Sequence, residues 1–257
     1  FYSNPTFCTK ELKYNIFWGD PHIHTILSNC NVEKSRSLNF CYTCGKYVSG
    51  LDWVCAADHV SNQRCDYSKW REQKAVGNLY NEPNEFVTLP CYEASFKSGA
   101  GGDNNVYMNE PINMFVDEYD NGNVKTLCEE LAKKAKEENI DFFVAPHHSS
   151  RAGKHGEINA DIYPGASAMP VIEIASKWGS SECFGNPDSL KRAHDGPSYA
   201  QDFLKFGYIL GFIGGSDSHQ TMTFIKDEKS KNQFSHPGIT AVYSNELTRD
   251  SIYKGIK

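Results

Sequence analysis

The chain has 257 residues, 39% of them hydrophobic and 23% charged, with a formal net charge of −6 and a mean hydropathy of −0.55. That length suits one large domain or two small ones, and either could bury a substantial core. The acidic balance argues against a dedicated nucleic-acid binder, and no uninterrupted apolar run approaches the roughly 18–20 residues that span a bilayer. A soluble protein is expected, with no nucleic acid among its partners and no membrane insertion.

In chain order, short apolar runs predict strands at Tyr14–Trp18, Trp53–Ala57, Phe86–Pro90, Phe142–Pro146, Val171–Ala175, Ile209–Gly214 and Ile239–Tyr243. Helix-like segments lie between them. Cys41 and Cys44 fall in one, ahead of "GLDWV"; the clearest is "VKTLCEELAKKAKEENI", whose Leu127, Leu131 and Ala135 recur every four residues. "GAGGDNN" reads as a flexible loop. The alternation predicts an α/β fold with a mainly parallel sheet, and about seven strands in one domain favour a closed or nearly closed barrel.

The polar residues fall at the ends of these runs. His22 and His24 close the first, in "FWGDPHIHT". Trp53–Ala57 runs into Asp58 and His59, Phe86–Pro90 into "CYEAS" with Glu93, Phe142–Pro146 into His147 and His148, and Ile209–Gly214 into "GSDSH" with Asp217 and His219. In barrels of parallel strands, residues at the strands' C-terminal ends converge on one site. Five segments ending in His, Asp or Glu therefore have the layout of a metal site.

In an extended segment His22 and His24 point to the same face, and Asp217 and His219 share that spacing. Neutral imidazole suits Zn, Fe, Ni and Cu, and carboxylates bring in Mn. An isolated His-x-His pair reads equally well as a satisfied core or surface pair; recurrence past separate strands is what argues for a cation. Glu93 suits a carboxylate bridging two cations. In "PHHSS", His147 is nearer the strand and is expected to face inward in preference to His148. His155, His194 and His236 sit in polar, Gly- or Pro-containing stretches and are expected to face solvent.

Other chemistries find less support. Cys41-x-x-Cys44 lacks the second pair, or the spaced histidines, of a zinc finger. There is no Gly-x-Ser-x-Gly elbow and no phosphate-cradling loop. The nine cysteines are an odd number that intramolecular disulfides cannot exhaust, so the compartment stays open. The chain starts at Phe1 without a signal-peptide pattern, which reads as a mature or trimmed product.

"GDPHIHT", "LDWVCAADH", "LPCYEAS", "APHHSS" and "GGSDSH", in this order, resemble the PHP superfamily, named for polymerase and histidinol phosphatase. A finer likeness is to a bacterial PHP group catalogued only as a domain of unknown function. It rests on "GLDWVCAADH", "VIEIASKWGSSE" and "ITAVYSNELTRDSIYKGI", and spans about residues 14 to 257. The resemblance implies a single domain over residues 1–257, stopping short of that group's usual C-terminus, folded as a distorted (β/α)7 barrel. It also implies two or three divalent metal ions (Zn, Mn or Fe) that serve phosphate-ester hydrolysis, with a small-molecule phosphate ester as substrate.

By matching positions, His22, His24, His59, Glu93, His147, Asp217 and His219 would be ligands. Two departures matter. Cys30 stands about where the family has an acid or histidine, and Asp103 where it commonly has a further histidine. Both keep ligand capacity, which implies an altered but retained site; either could instead weaken one of the metals. Asp58, beside His59, is expected to orient a ligand imidazole. Lys177 and Arg151, shortly after strand ends, would meet the substrate's phosphate or else be solvated surface charges. The rival readings are a metal-dependent amide or ester hydrolase and a non-catalytic metal-binding module. Substrate identity, choice of metal and oligomeric state are left open.

Overall fold

The computed structural model describes residues 14–30, 33–60, 66–97, 99–117, 122–153, 156, 158, 162–190, 192–193, 195–223 and 238–257. His155, His194 and His236 lie outside the described residues. In chain order the elements are β1 (Asn15–Ile23), a 3-10 turn (Ile26–Ser28), α1 (Leu38–Tyr47), β2 (Trp53–Ala56), α2 (Tyr67–Tyr80), β3 (Val87–Thr88), β4 (Cys91–Ser95) and β5 (Asp103–Met108). There follow α3 (Val124–Glu138), β6 (Phe142–His147), β7 (Val171–Ser176), β8 (Gly179–Ser180), α4 (Ala200–Lys205), β9 (Gly211–Gly214), β10 (Thr240–Ser244) and α5 (Arg249–Ile256).

The helices form where local chemistry favours them. At the head of α3, Asn123 accepts from the Lys125 and Thr126 amides while the Thr126 hydroxyl accepts from the Asn123 amide, which satisfies orphan donors of the first turn. Asn139 ends it in the left-handed region at φ 54°. Val124, Leu127, Cys128, Leu131 and Ala135 are its buried stripe.

The strands pair as three sheets, in the orders β10-β1-β2-β3, β4-β5-β6 and β8-β7-β9. β1 pairs parallel with β2 but antiparallel with β10, and β5 runs antiparallel to both β4 and β6. The architecture is therefore mixed α/β, which corrects the expectation of a mainly parallel sheet. Part of the error came from "GAGGDNN", whose last three residues, Asp103–Asn105, open a full strand; the rest came from strand direction, which no periodicity reveals, as at β10 and β8. Asp and Asn are poor strand formers, and it is pairing with β4 and β6 that makes them extended. Isolated parallel bridges, His59↔Glu93 and Ile23↔Ser218, link strand ends of different sheets.

Alternation along the strands builds a two-tone interior. Trp53, Cys55, Cys91, Tyr107, Phe143, Val171 and Ile213 belong to one apolar cluster, onto which α5 packs Ile252, Tyr253 and Ile256. Two residues along the same faces stand Glu93, Asn105 and Glu173, and four along from Phe143 stands His147, all buried. Each of these rows thus passes from apolar to polar. Because β5 is reversed, its polar end is its N-terminal end.

Candidate metal centre

Eight of the nine sequence-proposed ligands fall within four donor clusters: His24, Cys30, His59 and His219; His22, His24 and Glu93; His22, His147 and Glu173; His147, His148 and Asp217. Within each cluster the donor atoms lie within 4.8 Å of one another. Asp103 is the exception. It is buried and paired across the sheet with His147, yet it joins none of these clusters among the described residues.

The middle of the site is set by two carboxylates. Glu93 Oε2 lies 3.6 Å from His22 Nε2, 3.3 Å from His24 Nε2 and 3.0 Å from His59 Nδ1. Asp217 Oδ1 lies 3.7 Å from His22 Nε2, 2.9 Å from His24 Nε2 and 3.4 Å from His219 Nδ1. Its other oxygen, Oδ2, is 3.1 Å from His147 Nε2 and 3.4 Å from His148 Nε2. Glu93 Oε2 and Asp217 Oδ1 are fully buried and, among the described residues, have no hydrogen-bond partner. Orphaned buried carboxylate oxygens are costly, and converging imidazoles are the donor set that joins them around a cation. The residues fit the group.

Outer partners fix which imidazole nitrogen faces inward. Ser28 gives its one proton to Asp58 (2.6 Å), so it can only accept from His24 Nδ1 at 3.0 Å. That leaves the His24 Nε2 lone pair facing the carboxylates. Asp58, which also accepts from the Thr25 amide and hydroxyl at 2.7 Å each, therefore reaches His24 through Ser28. Glu173 does the same directly for two rings: its oxygens lie 3.0 Å from His22 Nδ1 and 3.0 Å from His147 Nδ1, with Asn105 Nδ2 donating to Oε2 at 2.9 Å. A carboxylate behind a ligand imidazole is a recurrent feature of metal sites.

The local backbone supports these contacts. His148 and Asp217 adopt left-handed φ values of 52° and 48°, uncommon for residues with a Cβ. At His148 this breaks the strand alternation and allows two consecutive histidines to reach Asp217. The expectation that His147 alone faces inward is corrected accordingly. Gly215 sits where a Cβ would lie 2.6 Å from His22 Cβ and 3.2 Å from Glu173 Oε1. Asp217 N–H bonds to the His22 carbonyl (2.8 Å) and His24 N–H to the Ser218 carbonyl (3.0 Å), which locks the end of β1 to the segment after β9.

Burial and charge divide the imidazoles. Burial first, then neighbouring imidazoles, hold His24 and His148 well below the ordinary value. Burial, opposed by Asp217 and aided by Lys177, takes His219 down to about 3. For His22 and His147 burial also lowers, but the Glu173 and Asp217 carboxylates outweigh it. His22 ends well above the ordinary value and His147 at about 9. Glu173 in turn falls to about 2, because His147 and His22 overcome the effect of burial.

At the rim, Lys177 Nζ is 2.6 Å from His219 Nδ1 and 4.7 Å from the centre of the Trp178 ring. The Arg151 guanidinium lies 5.7 Å from the centre of the same ring, which stands near-perpendicular to the His148 and His219 rings with centres 6.2 and 6.0 Å apart. Sequence reasoning missed Glu173, His148, Asn105 and Ser28. Glu173 alone left a signal: an acid inside the otherwise uncharged strand "VIEIAS" needs a buried partner.

No family model matches the sequence, and neither does any curated protein. Solved structures do match. A two-domain protein containing a predicted PHP-like metal-dependent phosphoesterase from Bacteroides vulgatus ATCC 8482 aligns with a TM-score of 0.61 at 15% identity, over 99% of this chain and 66% of that one. Endonuclease Q, in complex with a 27-mer duplex bearing an abasic lesion at the active site, aligns at 0.58 and 15% identity, over 94% and 56%. Endonuclease Q from Pyrococcus furiosus aligns at 0.55 and 14% identity, over 95% and 56%. The chain shares the mixed α/β fold of these structures, and spans about two thirds or less of their length. The expectation that nucleic acid plays no part is overturned here: the same fold engages duplex DNA in endonuclease Q, so a net charge of −6 does not exclude such a partner. No helix among the described residues is long and apolar enough to cross a membrane.

Proposed function

We propose that this chain is a single-domain, metal-dependent hydrolase of phosphate esters, built on a distorted (β/α)7 barrel of PHP type and using two or three divalent cations. The observation that carries the reading is the pair of orphaned buried oxygens, Glu93 Oε2 and Asp217 Oδ1, on which imidazoles converge. The distances support three cation positions. His22 and His24 with both carboxylates would make one; Cys30, His59 and His219 a second, where Glu93 reaches His59 and Asp217 reaches His219; His147 and His148 a third, reached by Asp217. Divalent cations held there would supply Lewis acidity, lowering the pKa of water towards ~7 and neutralising charge on the ester's oxygens.

The chain's own groups supply the rest. Glu173, and Asp58 through Ser28, hold Nδ1 protons on His22, His147 and His24, so that each Nε2 faces inward. Lys177 and Arg151, gathered at Trp178 beside His219 and His148, offer positive charge to the ester's non-bridging oxygens. Phosphodiesters of nucleic acid belong among the substrates to test, given the complex that endonuclease Q forms with duplex DNA.

The test is elemental analysis after purification without chelator or histidine tag, followed by a panel of substrates. The panel holds a phosphate monoester, a phosphate diester, an abasic DNA duplex and an acyl ester. Two or three equivalents of Zn, Mn or Fe, reduced in His22→Ala/His24→Ala, with cleavage of a phosphate substrate, is the expected result. No metal after reconstitution with each cation overturns the proposal. Turnover of the acyl ester alone would favour an amide or ester hydrolase, and bound metal without turnover a binding module.

A further inference from the structure

The three positions offer different donor chemistry. The position at His22 and His24, and the one at His147 and His148, present only nitrogen and oxygen. On the remaining side the Cys30 sulfur stands with His24, His59 and His219, all donors within 4.8 Å of one another. Of the other described cysteines, Cys41, Cys44, Cys55, Cys91 and Cys128 are buried elsewhere, and Cys183 belongs to no donor cluster.

Local structure brings the sulfur there. Thr25 caps the 3-10 turn Ile26–Ser28 and is itself tied to Asp58. Asn29, in the left-handed region at φ 56°, then turns the chain, and the Cys30 sulfur comes within 4.8 Å of a ring nitrogen of His24, six residues earlier. Its sulfur lies 3.5 Å from the Ser28 carbonyl. A second observation points to a ligand on this same side. Glu93 Oε2, buried and without a hydrogen-bond partner among the described residues, stands 3.0 Å from His59 Nδ1.

Resting on the metal-centre reading above, we infer that the Cys30 side is a thiolate-ligated position, so that the centre is chemically unequal. Thiolate is a soft donor that selects zinc-, iron(II)- or cobalt-type cations, whereas carboxylate with imidazole also accommodates manganese. The Cys30 position therefore rejects Mn²⁺ in favour of Zn²⁺, while the two positions without sulfur are open to either. On this view Cys30 does not diminish a histidine site. It converts one of three positions to a different metal preference.

Cobalt(II) is the probe, because thiolate ligation gives a near-ultraviolet charge-transfer band that nitrogen and oxygen donors do not. The full chain is stripped with chelator and titrated with Co²⁺, and bound cobalt is counted in parallel. The band is expected to saturate at a single equivalent, to vanish on adding Zn²⁺ and to persist in excess Mn²⁺. Cys30→His should abolish the band while keeping the cobalt count, and Cys30→Ser should lose the band with about one equivalent. His148→Ala should lose an equivalent and keep the band. Cobalt binding with no band, or a band that survives Cys30→His or is displaced by Mn²⁺, overturns the inference and leaves the metal-centre reading standing. No cobalt binding by the folded wild-type chain overturns both.

Discussion

Glu173 is the residue whose replacement tests the electrostatics of the site most directly. In the metal-stripped chain it is the shared acceptor for His22 and His147, each approached within 3.0 Å in the fully buried interior. Its carboxyl falls from 4.5 to about 2, and a depressed acid contributes stability that is present above its unfolded value and lost as pH falls through the folded one. His147 rises from 6.5 to about 9, and a raised histidine contributes stability that is complete below its unfolded value and lost as pH rises through the folded one. Both contributions are complete together between pH 4.5 and 6.5.

Glu173→Gln removes the charge at nearly constant shape. Leaving a buried charge without its partner costs about 3–5 kcal/mol, which at roughly 2–4 °C per kcal/mol lowers Tm by roughly 6–20 °C at about pH 6. At about pH 10, above the folded value of His147, the gap should narrow by the share that the His147 pair contributes. Denaturant unfolding of the chelator-treated proteins at the two pH values measures it. A difference under about 1 kcal/mol near pH 6, or one of equal size at both pH values, would refute the reasoning.

Other expectations concern the same neighbourhood. His148→Ala should remove close to one equivalent of bound cation while Asp103→Ala leaves the count unchanged, because His148 reaches Asp217 within a donor cluster and Asp103 joins none among the described residues; elemental analysis of both variants decides. Cation uptake must expel protons from His22 and His147, so apparent zinc affinity should keep climbing to about pH 9. A plateau at about pH 7, or calorimetry showing no proton release, would count against it. Gly215→Ala would force a Cβ to 2.6 Å from His22 Cβ. Overpacking of that kind costs about 1–3 kcal/mol, so the variant should melt lower and bind zinc more weakly than wild type.

Much of this site could be read along the chain because its signals are local. His22, His59, His147 and Asp217 stand at or just past short apolar runs, and a strand's period of two puts His22 and His24 on one face. The Leu127–Leu131–Ala135 stripe announced α3 by the same kind of argument, carried by the 3.6-residue period. Cys30 was singled out only by the family resemblance, and the left-handed turn at Asn29 that returns it could not be seen.

Tertiary structure decided the rest, for a physical reason: sequence periodicity says which way a side chain points only while the backbone stays regular, and never which strand lies beside it. His148 is turned inward by a left-handed backbone that period-two reasoning forbids. Asp103–Met108 becomes a strand only because β4 and β6 supply partners on either side. Asp58 reaches His24 through Ser28, a choice made by the 3-10 turn after β1 and invisible from its adjacency to His59. Glu173 is a lone acid in a strand until three other segments bring His22, His147 and Asn105 within about 3 Å of it. The kinds of donor were written in the chain; their grouping around common points came from long-range packing alone.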